Sequence, residues 1–156
     1  MIYPPEDVLL ELGRVTWAAM ALEGDVLRVA RRVDPKLQGE WRVGECVKNA
    51  RNAMAEWPAS TERDEISAWL ADSKTALDEE RNELFHGEQL TLINFAAGTY
   101  TPMVGVMPLE ATKNRAARPY RERPLTAAHW QEAHARIVQQ HELWTHILLL
   151  LEVVPR

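Results

Sequence analysis

Apolar positions recur with a helical period over most of the chain. Val8, Leu12, Val15, Ala19, Leu22, Val26, Ala30 and Val33 return every three or four residues, one continuous stripe on a long helix from about Pro5 to Val33. Pro5 suits a first helical position, and Glu6 and Asp7 complement the positive end of the helix dipole. Asp34-Pro35 stops the helix, because a residue before proline avoids the helical region. A second helix is expected from Glu40 to Trp57, with Val43, Cys46 or Val47, Ala50, Ala53 or Met54, and Trp57 as its stripe and Pro58 as its end. The third starts after Ser60 or Thr61, both capping residues, with Glu62, Asp64 and Glu65 in its first turn. Ile66, Trp69 or Leu70, Leu77 and Leu84 form its apolar face, and His86-Gly87 supplies the stop. The last helix begins near Thr126 and runs to about Val153, with Trp130, Ile137, Trp144 and Leu151 at intervals of seven.

Between Glu88 and Pro124 the helical period is lost. Leu90 to Phe95 and Thr99 to Met107 read as extended, with Ala96-Ala97-Gly98 between them, so a β-hairpin is expected. Pro102 restricts its second strand to an edge or a bulge. Amphipathic helices of this length, with short connections except at one place, predict an all-α fold. The expectation is an antiparallel bundle of four to five helices with a small inserted hairpin or irregular segment at about 88–124. Residues 1–156 are the size of one domain.

Composition narrows the function classes. Apolar residues make up 46% and charged residues 26%, ordinary globular values that exclude disorder and fibrous repeats for the chain as a whole. Cys46 is the single cysteine, which removes an intrachain disulfide and any multi-thiolate zinc site and fits a reducing, cytoplasmic setting. It reads as a small core residue and not as a nucleophile. The N-terminal residues lack a signal-peptide pattern and no apolar run approaches the ~20 residues a bilayer requires, so a soluble protein without membrane contact is expected. Net charge is −5, so polyanion binding requires a local patch. Lys113, Arg115, Arg118, Arg121 and Arg123, opposed only by Glu122, form that patch and are candidates to track an RNA backbone; a solvated loop is the alternative. Six tryptophans stand against three tyrosines and two phenylalanines, mostly on the helical stripes, which reads as core packing.

The segment that suggests chemistry is Arg81-Asn82-Glu83-Leu84-Phe85-His86-Gly87. On a helix Asn82 and His86 share a face and Arg81 reaches the same side. Histidine titrates near neutrality and moves protons, while arginine holds a phosphate through two parallel hydrogen bonds. The structural alternative is that His86 complements a helix end and Arg81 pairs with Asp78. A second arginine five residues before a histidine, Arg136 to His141, is less suitable: its second position is apolar Ile137 and no glycine follows. His129, His134, His141 and His146 lie on the last helix without the four-residue spacing of a metal pair, so no metal and no cofactor is expected. They read as core-flanking histidines with polar partners. Glu23, beside the apolar stripe of the first helix, must find a partner such as Arg81 or face solvent.

The Arg81, Asn82 and His86 pattern resembles the R-(polar)-x3-H motif of the higher eukaryote and prokaryote nucleotide-binding (HEPN) superfamily. The resemblance implies a helical bundle with the motif near the end of an inner helix, acting as a homodimer whose two motifs face each other. It further implies a metal-independent endoribonuclease, with Arg81, Asn82 and His86 as catalytic residues, RNA as substrate and a toxin or antiviral defence role that carries an antitoxin protein as partner. The stretch from Glu88 to Pro124 departs from a minimal bundle of this kind. The rival reading is a non-catalytic helical module that binds a nucleotide or a protein.

Overall fold

A computed structural model describes residues 4–81, 87–94, 99–106, 121–124 and 126–156, with side-chain environments for 4–79 and 126–156. The helices are α1 (Glu6–Val33), α2 (Val43–Ala55), α3 (Thr61–Ala76) and α4 (Ala127–Val153). A 3₁₀ turn, Pro35–Gly39, joins α1 to α2, and a π-helical turn, Leu77–Arg81, extends α3. The strands are β1 (Gly87–Asn94), β2 (Thr99–Val106) and β3 (Arg121–Pro124), in the order β1-β2-β3 with both pairs antiparallel.

Local chemistry sets the helix ends. The Ser60 hydroxyl accepts from Arg63 N–H at 3.1 Å and the Thr126 hydroxyl accepts from His129 N–H at 3.3 Å, satisfying donors that an α-helix leaves open. At the end of α1, Asp34 adopts an extended conformation before Pro35, and its carboxylate accepts from Lys36 N–H to open the 3₁₀ turn. The second helix is shorter than its apolar pattern predicts. Glu40 folds back to accept from the N–H groups of Trp41 and Arg42, which holds the chain non-helical as far as Val43. The third helix also departs from expectation: it passes into the π turn at Leu77, and Gly87, expected as the helix stop, is the first residue of β1, with 82–86 outside the described residues.

The four helices share one core. Val15, Leu22, Val26 and Val29 of α1, Cys46 and Met54 of α2, Ile66 and Leu70 of α3, and Trp130, Ile137 and Ile147 of α4 are essentially inaccessible to water. Two tryptophans do not follow the expected pattern. Trp17 and Trp41 lie exposed, while Trp69 and Trp130 are buried and Trp57 and Trp144 half-buried. Trp17 falls two residues after Val15 and two before Ala19, on the opposite side of α1 from the stripe.

The expected antiparallel arrangement holds for α3 against α4 and not for α1 against α4. Glu65 meets His146, and Trp69 donates its indole N–H to the Gln140 carbonyl at 3.0 Å, so the numbers run in opposite senses. Along α1 and α4, Glu11 meets Gln131, Asp25 meets His141 and Arg32 meets Glu152; the numbers rise together and the helices are parallel. The cause is the segment between α1 and α3. It leaves and returns to the same end of the molecule, so α3 starts near where α1 stops and α4 runs back alongside α1.

In the sheet, β3 pairs with Met103–Val106 only. At Pro102, which faces Thr91 of β1, the other side of β2 has no paired strand among the described residues. A residue without an N–H is tolerated at such a position. Arg121 and Arg123, read above as part of a basic loop, occupy alternate positions of β3, in register with Val106 and Val104.

Candidate functional site

Arg81 is the last residue of the π turn that closes α3, and this turn packs against α1. Asn82 and His86 lie outside the described residues, as do Lys113, Arg115 and Arg118; Arg121 and Arg123 are placed by their backbone alone. Within the turn, Asp78 is engaged by the Lys74 ammonium. Asp78 is the acid that the structural alternative assigns to Arg81.

A polar site that no motif announced lies where α1 and α4 run side by side. Asp25 is 1% exposed. A buried carboxylate is costly unless paired, and Asp25 is paired twice. Its Oδ1 accepts from Arg28 Nη1 at 3.0 Å, and its Oδ2 lies 2.5 Å from His141 Nδ1. An ionised carboxylate only accepts, so Nδ1 of this partly exposed ring carries the proton when Asp25 is ionised. The Arg28 guanidinium carbon also lies 5.7 Å from the centre of the Trp144 ring, within cation–π range.

Arg28 and Trp144 form one wall of a cavity of about 450 Å³, completed by Arg31, Arg32, Gln38 and Leu148. Arg32 is paired with Glu152 at 2.9 Å. Arg31 donates Nη2 to the Glu40 carbonyl at 2.9 Å, and its Nε is buried with no hydrogen-bond partner among the described residues. Three guanidinium groups and an indole around one cavity can hold an anion with an aromatic ring.

A larger open cleft of about 710 Å³ lies between α2 and α3, with Lys48, Arg51, Arg63 and Lys74 on its walls. Arg63 is taken by Asp64 and Lys74 by Asp78. Arg51 donates Nε to the Ser67 hydroxyl at 3.1 Å, and neither Arg51 nor Lys48 has an acidic partner among the described residues.

The remaining candidates are placed as follows. His146 lies 2.8 Å from Glu65 at the surface, and His129 packs edge-on against Trp130. Ile137, second in the Arg136 to His141 spacing, is fully buried. Glu23 is half-buried beside inaccessible Leu22. Cys46 is inaccessible, and burial pushes its thiol pKa up, so the reactive thiolate is disfavoured. Among the described residues no three His, Cys, Asp or Glu side chains gather as a metal site, and no helix is long and apolar enough to cross a membrane. Sequence reasoning missed Asp25. Its signal was position: three residues after Leu22 and four before Val29, it falls on the apolar stripe. The arginine cavity left a weaker trace in Arg28, Arg31 and Arg32, spaced along one side of α1. No protein-family model matches this chain, and neither curated proteins nor solved structures yield a match.

Proposed function

We propose that this chain is a metal-independent endoribonuclease of the HEPN kind, acting as a homodimer in a toxin or antiviral role under the control of an antitoxin protein. The observation that carries the reading is the π turn. Its last residue is Arg81, and in the sequence Asn82 comes next and His86 five positions after Arg81. Such turns occur often at functional sites, because they break the regular helix where side chains must be re-aimed. In the reaction, His86 takes the proton of the RNA 2′-hydroxyl as that oxygen attacks phosphorus. The bond from phosphorus to the 5′-oxygen breaks, and the departing oxygen takes up a proton. Arg81 holds the non-bridging oxygens as charge builds on them, and Asn82 orients the phosphate or the imidazole. Lys113, Arg115, Arg118, Arg121 and Arg123 contact the RNA backbone.

The test is end-group analysis of a cleaved oligoribonucleotide with and without EDTA. Expected are 2′,3′-cyclic phosphate and 5′-hydroxyl ends, no loss with chelator and no cleavage of DNA. His86→Ala should lower the rate by on the order of 10² to 10⁴. Metal dependence, 5′-phosphate ends or an active His86→Ala enzyme would reject the mechanism. The second reading, a nucleotide-binding module without catalysis, is favoured by the cavity of Arg28, Arg31, Arg32 and Trp144. It predicts that a nucleotide quenches tryptophan fluorescence in the absence of any RNA cleavage, and that Trp144→Leu removes this response.

A further inference from the structure

Helix α1 carries a second apolar stripe on the side away from the core. Leu10, Trp17 and Met20 are 56%, 76% and 61% exposed. Gly13 and Gly24 lie on the same face, and a side chain built at either would meet nothing within 4 Å. Positions 10, 13, 17, 20 and 24 alternate steps of three and four, so they form a single face. A glycine inside a helix costs roughly 0.5–1 kcal/mol relative to alanine. Nothing among the described residues requires either glycine, since both face open space. Glycines beside an exposed tryptophan make room for another backbone or a large side chain from outside.

The pattern is complementary to itself about Trp17. When two copies of α1 cross antiparallel there, each residue faces its counterpart an equal number of positions on the other side. Leu10 then faces Gly24, and Gly24 faces Leu10, each seven positions from Trp17. Gly13 faces Ala21, four positions out, with Met20 packing beside it. Large groups meet small ones at both ends of the stripe. Beyond it, Glu6 faces Arg28, each eleven positions away, and the Arg28 side chain is 64% exposed despite its bond to Asp25. Acidic residues open α1 and basic residues close it. An antiparallel pair therefore aligns opposite charges and opposed helix dipoles, whereas a parallel pair sets like against like. A twofold axis demands this kind of self-matching patch.

We propose that the outer face of α1, centred on Trp17, is a self-interface on which a second copy of the chain packs antiparallel across a twofold axis. This assignment does not rest on RNA cleavage, and its readout requires no activity.

The test is analytical ultracentrifugation of the full chain at micromolar concentrations. The wild type should be a dimer. Trp17→Glu should weaken association at least ~10-fold, as expected for a central aromatic anchor, with an unchanged circular dichroism spectrum because the residue touches no core. Gly24→Leu should also weaken it, by setting leucine against Leu10. The double variant Leu10→Ala with Gly24→Leu restores a small residue facing a large one and should recover association. A monomeric wild type at 100 μM overturns the proposal, whatever the fate of the RNA assay. So does a dimer indifferent to Trp17→Glu. A dimer that Trp17→Glu breaks but Gly24→Leu leaves intact overturns the antiparallel register.

Discussion

At the scale of single residues, buried or bridging polar groups hold the helices in place. Asp25 is the clearest case. Either Arg28 or His141 alone still offers the carboxylate a hydrogen-bond partner, so losing one should cost about 1 kcal/mol, the usual worth of one hydrogen bond. Losing both leaves a buried carboxylate without a partner, which costs about 3–5 kcal/mol. The double variant Arg28→Ala with His141→Ala should therefore be less stable than the sum of the single variants predicts. A double-mutant cycle from urea unfolding checks this; strict additivity would mean that water reaches Asp25 freely. Glu40 gives a pH-dependent counterpart. The Arg42 guanidinium, assisted by the N–H groups of Arg42 and Trp41, holds its pKa down to about 2 from an ordinary 4.5. A carboxylate with a depressed folded-state pKa contributes stability above the unfolded value and loses it as pH falls through the folded one. The Tm difference between wild type and Glu40→Gln should be constant above about pH 5 and shrink as pH falls from 4.5 towards 2. A difference that persists at pH 2 would assign the effect of the substitution to something other than charge.

At the scale of elements, the signals that act locally were readable and those that act across space were not. The apolar stripes of α1 and α4 follow from the need to bury one face of a helix, a need that stamps a period of 3.6 on the sequence. Ser60 and Thr126 announce helix starts because an unpaired N–H is satisfied by the nearest side chain. Thr126→Ala should accordingly cost about 1 kcal/mol, measured as a lowered denaturation midpoint at unchanged slope. The π turn in α3 was not legible, because a change of helical pitch over five residues leaves no periodic signature, and nothing local announced that Gly87 would be the first residue of a strand. The parallel course of α1 and α4 was also illegible, since direction depends on contacts such as Asp25 with His141. The Arg81 segment is a candidate on residue type and spacing alone. The arginine cavity was not legible, because Gln38 and Trp144 reach it from distant parts of the sequence.

At the scale of the whole molecule, the four helices have no private cores. Ile137 of α4 has no exposed surface, and neither do Leu22 of α1, Cys46 of α2 and Leu70 of α3. Trp69 ties α3 to α4 through the Gln140 carbonyl, so its indole reports on the docking of those two helices. If the core is shared, the helices unfold together. Ile137→Ala removes a buried side chain from the middle of α4 and should cost about 2–5 kcal/mol. For a chain of this size that lowers Tm by on the order of 10 °C. The shift should be the same whether followed by helical circular dichroism or by tryptophan fluorescence. If α4 instead docks loosely on a stable unit of α1, α2 and α3, fluorescence will change at a lower temperature than the bulk of the helix signal, and the substitution will widen that gap. Coincident transitions in both proteins would show one cooperative unit, in which a change on α4 is felt at the π turn that carries Arg81.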